Sequence, residues 1–405
     1  MWRPKTSLRT LHSSRRRFLK TSATGVSAAV TGTFIGGSSR QLAGNESLLR
    51  DAIDIRRLPG STVVDVVRGQ GYFPVIATLD DKRLAVVHRG GDGHVGVRGR
   101  LDISYSTDSG QTWGQPSTVI DSPLDDRNPA FGVASNGTLL VAYQRRGGYD
   151  EEGKEIVDMD RVDTRVICSR DGGRSWVDDA PLSYNRLNGA SPFGKIRSDS
   201  DGTLYLPVYA GPFLADLQGF VATDKDYTPA YLLRSYDQGK TWTNPILMGL
   251  GLAEPDVLFL PNGDWLAAAR TGPLVTCRSS DGGKTWGDLQ QVTESREHPP
   301  DLTLLNDGKI LLTFGRRNPP YGVQGLISRD LGHSWESRRL VFADELPGQD
   351  IGYPSTVRQD NGRMVTTFYS AGTHEEPHTF HEAINAFCRA VCYDEAALLA
   401  AWDAS

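Results

Sequence analysis

The residues best suited to chemistry stand in two columns along the chain. One lies just before a recurring proline: Tyr72-Phe73, Arg127-Asn128, Ala253-Glu254, His298-Pro299 and Gly352-Tyr353. The other closes a recurring hairpin: Arg89, Gln144-Arg145, Tyr209, Arg270, Gly315-Arg316-Arg317 and Tyr369. Arginine's planar fork of donors matches a carboxylate, so a site rich in arginine implies an acidic ligand. Tyrosines and the single glutamate Glu254 accompany the arginines. The columns are spread over most of the chain, so any chemistry depends on a fold that gathers them.

The elements that must gather them are legible as repeats. Six turns stand at Asp81-Lys82, Asn136-Gly137, Asp201-Gly202, Asn262-Gly263, Asp307-Gly308 and Asn361-Gly362, and five carry the Asn-Gly or Asp-Gly pair favoured in tight hairpins. Apolar runs flank each turn, as Val257 to Leu260 and Trp265 to Ala268 flank Asn262-Gly263. Upstream of five turns lies a proline, at Pro74, Pro129, Pro255, Pro300 and Pro354; the remaining one has Gly194 there, with Pro192 just before. Proline is tolerated at the first residue of a strand, so this column marks strand starts. A strand running from proline to turn, and a second one returning, puts both polar columns at one end of each sheet.

A second repeat interleaves with the hairpins. The pattern Ser-x-Asp-x-Gly-x-(Thr/Ser)-Trp occurs five times, at Ser106 to Trp113, Ser169 to Trp176, Ser235 to Trp242, Ser279 to Trp286 and Ser328 to Trp335. Its chemistry suits a hairpin tip. Aspartate can bond backbone amides just ahead of it, glycine accepts positive φ, and tryptophan buries a large flat surface against the next sheet. Six inner hairpins with five outer tips predict an all-β chain, a six-bladed β-propeller whose last blade lacks the pattern. Thr62 to Val67 is expected to be the outer strand of that last blade, joined by a strand near Ala383 to Tyr393. The Ala/Leu-rich tail after Asp394 reads as a short helix. The five patterned tips fall on the face opposite the polar columns and are structural.

The pattern closely resembles the Asp-box of the sialidase (neuraminidase) superfamily, and the likeness covers most of residues 62–393. In that family a glutamate opens the fourth blade's inner strand and an arginine closes its second strand. Glu254 in Ala253-Glu254-Pro255 and Arg270 in Ala268-Ala269-Arg270 match that pair. Another arginine follows the fifth inner hairpin, where this chain has Arg316-Arg317, and the nucleophilic tyrosine opens the last inner strand, as Tyr353 does. The resemblance implies an exo-acting, retaining glycosidase that releases a terminal acidic sugar, α-linked sialic acid first among the candidates. A neutral tyrosine escapes the repulsion that a carboxylate nucleophile would meet at a sugar bearing its own carboxylate. Glu254 would take the Tyr353 proton, arginines would hold the sugar carboxylate, and a loop acid would protonate the leaving oxygen.

Two departures bear on that expectation. The family begins its first blade with Arg-Ile-Pro, but this chain has Tyr72-Phe73-Pro74, so one arginine of the carboxylate clamp is absent. Arg127, in the same column one blade later, or Arg89 is expected to supply the charge. The family's general acid is an aspartate in the loop after the first blade's second strand. Here the loop from Gly90 to Leu101 offers Asp92, with His94 close behind and Asp102 just beyond; Asp92 is the expected acid, and His94 joins the expected sugar-binding set. The missing arginine keeps two alternatives open: a related enzyme on another acidic, uronate-type glycan, by hydrolysis or elimination, and a glycan-binding propeller without turnover.

Composition narrows the setting. The 405 residues carry a net charge of −5, yet the first 44 hold eight Lys/Arg and no acid, so the remainder stands at −13. So acidic a body excludes nucleic acid and anionic membrane surfaces as expected partners. Ser14 to Lys20, with Arg15-Arg16-Arg17 before Phe18-Leu19, resembles a twin-arginine export signal. The Ala/Thr/Gly-rich stretch after it is only weakly apolar, so no stable membrane insertion is expected. The reading is therefore a cleavable segment at 1–44, one propeller domain at 45–405, and a periplasmic or extracellular destination. Four cysteines read as buried free thiols, since Cys388 and Cys392 are too far apart along one strand to bond. No metal or calcium-loop spacing is present, and no cofactor is expected.

Overall fold

The computed structural model describes residues 51–150, 162–184, 187, 189–209, 229–377 and 382–404. The expected export segment at 1–44 lies outside them. Among the described residues six sheets follow one another along the chain as the blades of a β-propeller. Blade four shows the unit: Ala253–Phe259, Trp265–Arg270, Leu274–Ser279 and Gln290–Gln291, each antiparallel to the next. Asn262-Gly263 forms its inner turn, with Gly263 at φ 87°, a conformation glycine takes without a side-chain penalty.

The ring closes through both ends of the described chain. Blade six consists of Ile351–Arg358, Arg363–Ser370 and Phe387–Asp394, and its outer strand is Thr62–Arg68. This is the expected closure, except that the third strand begins at Phe387 rather than near Ala383. The helix Glu395–Asp403 follows directly. All four cysteines are buried and free.

Every interface between neighbouring blades has its own apolar core, and the eight-residue pattern supplies a tryptophan to five of the six. Trp113 packs between blades six and one, Trp176 between one and two, Trp242 between two and three, Trp286 between three and four, and Trp335 between four and five. The interface between blades five and six has no patterned tip to draw on. The C-terminal helix fills that place with Leu398 and Trp402, against Phe342 and Tyr393. Trp402 is 2% exposed, as is Trp242. Trp402→Ala should therefore cost about 3–5 kcal/mol, as for other buried aromatic truncations. Chemical denaturation followed by far-ultraviolet circular dichroism checks this, and an unchanged midpoint would show that the helix is dispensable to closure.

Within each patterned tip, the serine hydroxyl donates to the aspartate Oδ1 at 2.8 Å, and the aspartate accepts the Thr/Ser hydroxyl at 2.6 Å. These tips share a face with the inner turns: Ser109 donates to Gln359 at 3.0 Å, and Ser135 donates to Gln238 at 3.0 Å. They stand at the far end of the strands from Glu254 and Tyr353, where the repeat register put them.

The proline column differs from expectation in one informative way. Pro74, Pro129, Pro255, Pro300 and Pro354 do not begin their strands but lie inside them. At each, the register with the second strand slips, as between Tyr72 and Val75 or Gly352 and Ser355. A bulge removes the need for the N–H that proline lacks. At four of the five the residue before the proline takes a positive φ: 53° at Phe73, 50° at Asn128, 49° at Glu254 and 48° at Tyr353. Such backbone costs on the order of 1–3 kcal/mol per residue and persists where surrounding structure enforces it. The side chains leave the regular alternation of the sheet, and Phe73, Asn128 and Tyr353 line a small cavity of about 20 Å³ on the ring axis.

Blade three, where the column had Gly194, is the irregular one. Its inner edge is broken into Ser191–Pro192, Gly194–Lys195 and Arg197–Ser198, and the middle piece pairs in parallel with blade two. This detour carries Lys195 and Arg197 across the axis. Lys195 pairs with Asp301 of blade five, and Arg197 grips Asp256 of blade four at 2.7 and 3.0 Å.

Candidate active site

Three strands from two blades build the centre of the polar mouth. Tyr353, near the start of Ile351–Arg358, donates its hydroxyl hydrogen bond to Oε1 of Glu254 on Ala253–Phe259. Arg270, at the end of Trp265–Arg270, donates to the other oxygen, Oε2, at 3.1 Å. The cross-strand pairing of Ala253 with Arg270 brings that arginine beside the glutamate. Glu254 is 2% exposed, whereas the Arg270 side chain is 35% exposed. The carboxylate is thus sealed beneath a guanidinium that still faces the opening. Burial first, and the Glu254 charge second, push the Tyr353 hydroxyl well above the ordinary phenol value. It stays protonated, held toward a carboxylate that can take its proton.

Arg317 adds a second cation from blade five. Its guanidinium lies 5.6 Å from the centre of the Tyr353 ring, and Nε donates to the Ile351 carbonyl at 3.3 Å. Its Nη2 is buried without a partner among the described residues. His298 is 4% exposed; burial and the charges of Arg317, Arg270 and Arg296 push it down to about 2, so it is neutral. Two guanidinium groups flanking a tyrosine whose proton already points at a carboxylate can hold an acidic group while the hydroxyl is activated.

Where the carboxylate clamp of related propellers would have its first-blade arginine, this structure has an aromatic floor. The Phe73 ring centre is 4.9 Å from Tyr353, 5.5 Å from Tyr369 and 4.8 Å from His94. Tyr72, Ala371 and Ala386 complete the buried cluster.

Several expected site residues are placed elsewhere in role. Arg89 is fully buried; it pairs with Asp125 and donates to the carbonyls of Gly93 at 2.9 Å, Asp126 at 3.0 Å and Gly96 at 3.1 Å. It moulds the loop after blade one's second strand and presents no exposed surface. A Cβ on Gly99 would stand 1.9 Å from its guanidinium, which is why the loop passes there with glycine. Arg316 is likewise buried, 2.8 Å from Glu297, a carboxylate it shares with Arg339. Of the adjacent pair, only Arg317 faces Tyr353. Arg127 is the remaining candidate to replace the missing arginine; its side chain is 8% exposed and lies 3.5 Å from Asp125.

Asp92 also differs from expectation. Its carboxylate turns back into its own loop, accepting the N–H groups of Gly93 at 3.0 Å and Arg98 at 3.2 Å, with the Arg98 guanidinium at 3.4 Å. Gly96 permits this, since a Cβ there would lie 2.3 Å from the carboxyl. Asp102 pairs with Arg100 of its own strand, Arg100–Ser106, at 3.0 Å. His94 instead faces the aromatic floor, and its Nδ1 meets Oδ1 of Asp350 at 2.7 Å. The same oxygen accepts the Tyr369 hydroxyl at 2.7 Å. Asp350 escaped the sequence reading, although it stands only three positions before Tyr353; both the proline column and the hairpin-closing column pass over it.

With this geometry in view, the relatives are informative. Residues 88–366 match the BNR repeat-like domain, and the chain belongs to the sialidase superfamily of BNR-repeat β-propellers. It is similar to a sialidase of Bacteroides fragilis (strain YCH46), 23% identical over 367 residues covering 78% of this chain and 62% of that protein. It is also similar to a sialidase of Micromonospora viridifaciens, 27% identical over 228 residues covering 52% of this chain and 33% of that protein. The chain therefore spans less than two-thirds of the length of these curated relatives. Among solved structures, a protein of unknown function from Dyadobacter fermentans DSM 18053 superposes with a TM-score of 0.67 at 21% identity, over 83% of this chain and 100% of that one. Trypanosoma rangeli sialidase bound to the inhibitor DANA superposes with a TM-score of 0.61 at 16% identity, over 84% and 61%. At these identities the superpositions establish the fold.

Proposed function

We propose that this protein is an exo-acting glycoside hydrolase of the sialidase type that releases a terminal acidic sugar with retention of configuration. The observation that carries the reading is the Tyr353–Glu254–Arg270 chain of hydrogen bonds, with Arg317 over the tyrosine ring. Tyr353 Oη attacks the anomeric carbon while its proton passes to Glu254, and the glycosidic bond breaks toward the leaving oxygen. Water then displaces the tyrosine, which recovers its proton from Glu254. Arg270 and Arg317 hold the sugar carboxylate, and the expected twin-arginine segment delivers the folded enzyme to the periplasm or beyond.

One observation favours a second substrate class. Phe73 puts a buried ring where a third cation would complete a sialoside clamp, so an acidic sugar of the uronate type, with its carboxylate placed differently, is the second candidate. The experiment is a turnover assay of the protein on a fluorogenic α-sialoside and on uronate-containing glycans, with the first product's anomeric form read by nuclear magnetic resonance. Release of sialic acid as the α-anomer is the expected result. Turnover of uronates alone supports the second class, and binding of acidic glycans without turnover of any would overturn the hydrolase reading.

A further inference from the structure

We infer that His94, oriented by Asp350, is the group that exchanges a proton with the leaving oxygen, in place of the loop aspartate Asp92. This rests on the hydrolase reading above and deepens it. The alternative acid is committed elsewhere: both Asp92 oxygens accept bonds from within its own loop. His94 shares that loop but packs on the Phe73 ring, the ring that also touches Tyr353. Its side chain is 17% exposed, enough for a bound sugar to reach and far less than the 78% of Arg98. Asp350 ties nucleophile and acid together, since it directly precedes the strand that carries Tyr353.

The geometry has the form of a base held by a third group. Nδ1 donates to Asp350 Oδ1, which fixes the tautomer and puts Nε2 on the far side of the ring. Tyr369 anchors the same oxygen, and Asp350 is 1% exposed, so the carboxylate cannot swing away. In the first step the imidazolium Nε2–H goes to the leaving oxygen as the glycosidic bond breaks. In the second, the neutral ring takes a proton from the water that attacks the anomeric carbon. No further reactant is needed.

The surroundings also set a pH signature. Burial holds His94 below the ordinary imidazole value, the Asp350 charge and hydrogen bond oppose it, and Arg127 and Arg317 push the same way as burial. Tyr72, whose buried hydroxyl is held above the ordinary phenol value, and Phe73 meet it through T-shaped ring contacts, and Tyr369 acts through Asp350. The acid form is thus lost as pH rises through a value below the usual ~6.5. Removing the Asp350 charge lowers that value further, so Asp350→Asn moves the alkaline limb to lower pH.

The test compares an alkyl α-sialoside or uronoside, which needs its leaving oxygen protonated, with the matching activated aryl glycoside, which does not. His94→Asn keeps a donor toward Asp350 but has nothing to exchange at Nε2; His94→Gln is the second variant should the first misfold by circular dichroism. The expected result is a loss of about 10²–10⁴-fold on the alkyl glycoside and under about tenfold on the aryl one. Asp92→Asn, which disturbs only the loop's shape, should weaken both substrates alike. Equal losses for the His94 variants on both substrates, or a leaving-group-selective loss in Asp92→Asn, would overturn the assignment while leaving the hydrolase standing. A parent protein inactive on every acidic glycoside would sink both, and that shows before any variant is made.

Discussion

Tyr353→Phe should lower kcat on an activated acidic glycoside by on the order of 10⁶-fold, in line with the loss of a nucleophile from other hydrolases. The substitution removes one oxygen and keeps the ring, so contacts at 4.9 Å to Phe73 and 5.8 Å to Phe193 persist. Arg317 retains the face it lies over, and Arg270 retains Glu254, so the acidic product should still bind. Stability should fall modestly, by about 1–3 kcal/mol, because Glu254 loses a buried hydrogen-bond donor. Product affinity close to the parent's, beside a collapsed kcat, separates a nucleophile from a residue that merely lines the channel. Steady-state kinetics with product-inhibition constants measure both, and turnover near the parent's would return Tyr353 to a packing role.

Glu254→Gln should impair the same step by about 10²–10⁴-fold in kcat, the usual range for removing a general base. The amide can accept the tyrosine's hydrogen bond but cannot take its proton. Arg270 at the same time loses its charge partner and turns wholly to the substrate, so KM for an anionic glycoside should hold steady or fall. A loss of kcat without a rise in KM is the signature of a base; a rise in KM alone would make Glu254 only an anchor for Arg270. The pH dependence gives a second reading. Of the influences that raise the Tyr353 hydroxyl, burial and the neighbouring Tyr209 remain in the variant and the Glu254 charge does not. The phenol then ionises at a lower pH than in the parent, so the variant's residual rate should climb toward alkaline pH, where the parent still has its base.

Local periodicity carried much of this architecture in the sequence, and pairing between distant segments hid the rest. Asn262-Gly263 between two apolar runs announces its own hairpin, and the tryptophan pattern announces the outer tips. Tyr353, Glu254 and Arg270 could be placed at one mouth because each stands at a fixed offset from such a turn. The arginines were harder. Arg316 occupies the same column as Arg270, but its cross-strand neighbour is Glu297, which neutralises it in the core. Arg89 is silenced by Asp125 from the next blade, a partner that no local spacing reveals. Asp92 depends on Gly96, where a Cβ would crowd the carboxyl at 2.3 Å, to fold back onto Arg98. The compensation at the blade five and six interface was equally hidden: the tail read as a helix, but that Trp402 stands in for a missing tip follows only from closing the ring.

The account turns on a covalent bond at one oxygen, and trapping it is the most direct measurement. A fluorinated acidic glycosyl fluoride, whose second fluorine slows the departure of the tyrosine more than its arrival, should react once with the enzyme. Tyr353 Oη would form the bond to the anomeric carbon, fluoride would leave, and Glu254 would hold the phenolic proton. Intact-protein mass spectrometry should show one added glycosyl group, and peptide mapping should place it on Tyr353, with no adduct in Tyr353→Phe. A glycosyl group on Tyr369 or another residue, or full turnover of the parent with no trapped species under conditions that slow the second step, would contradict the account.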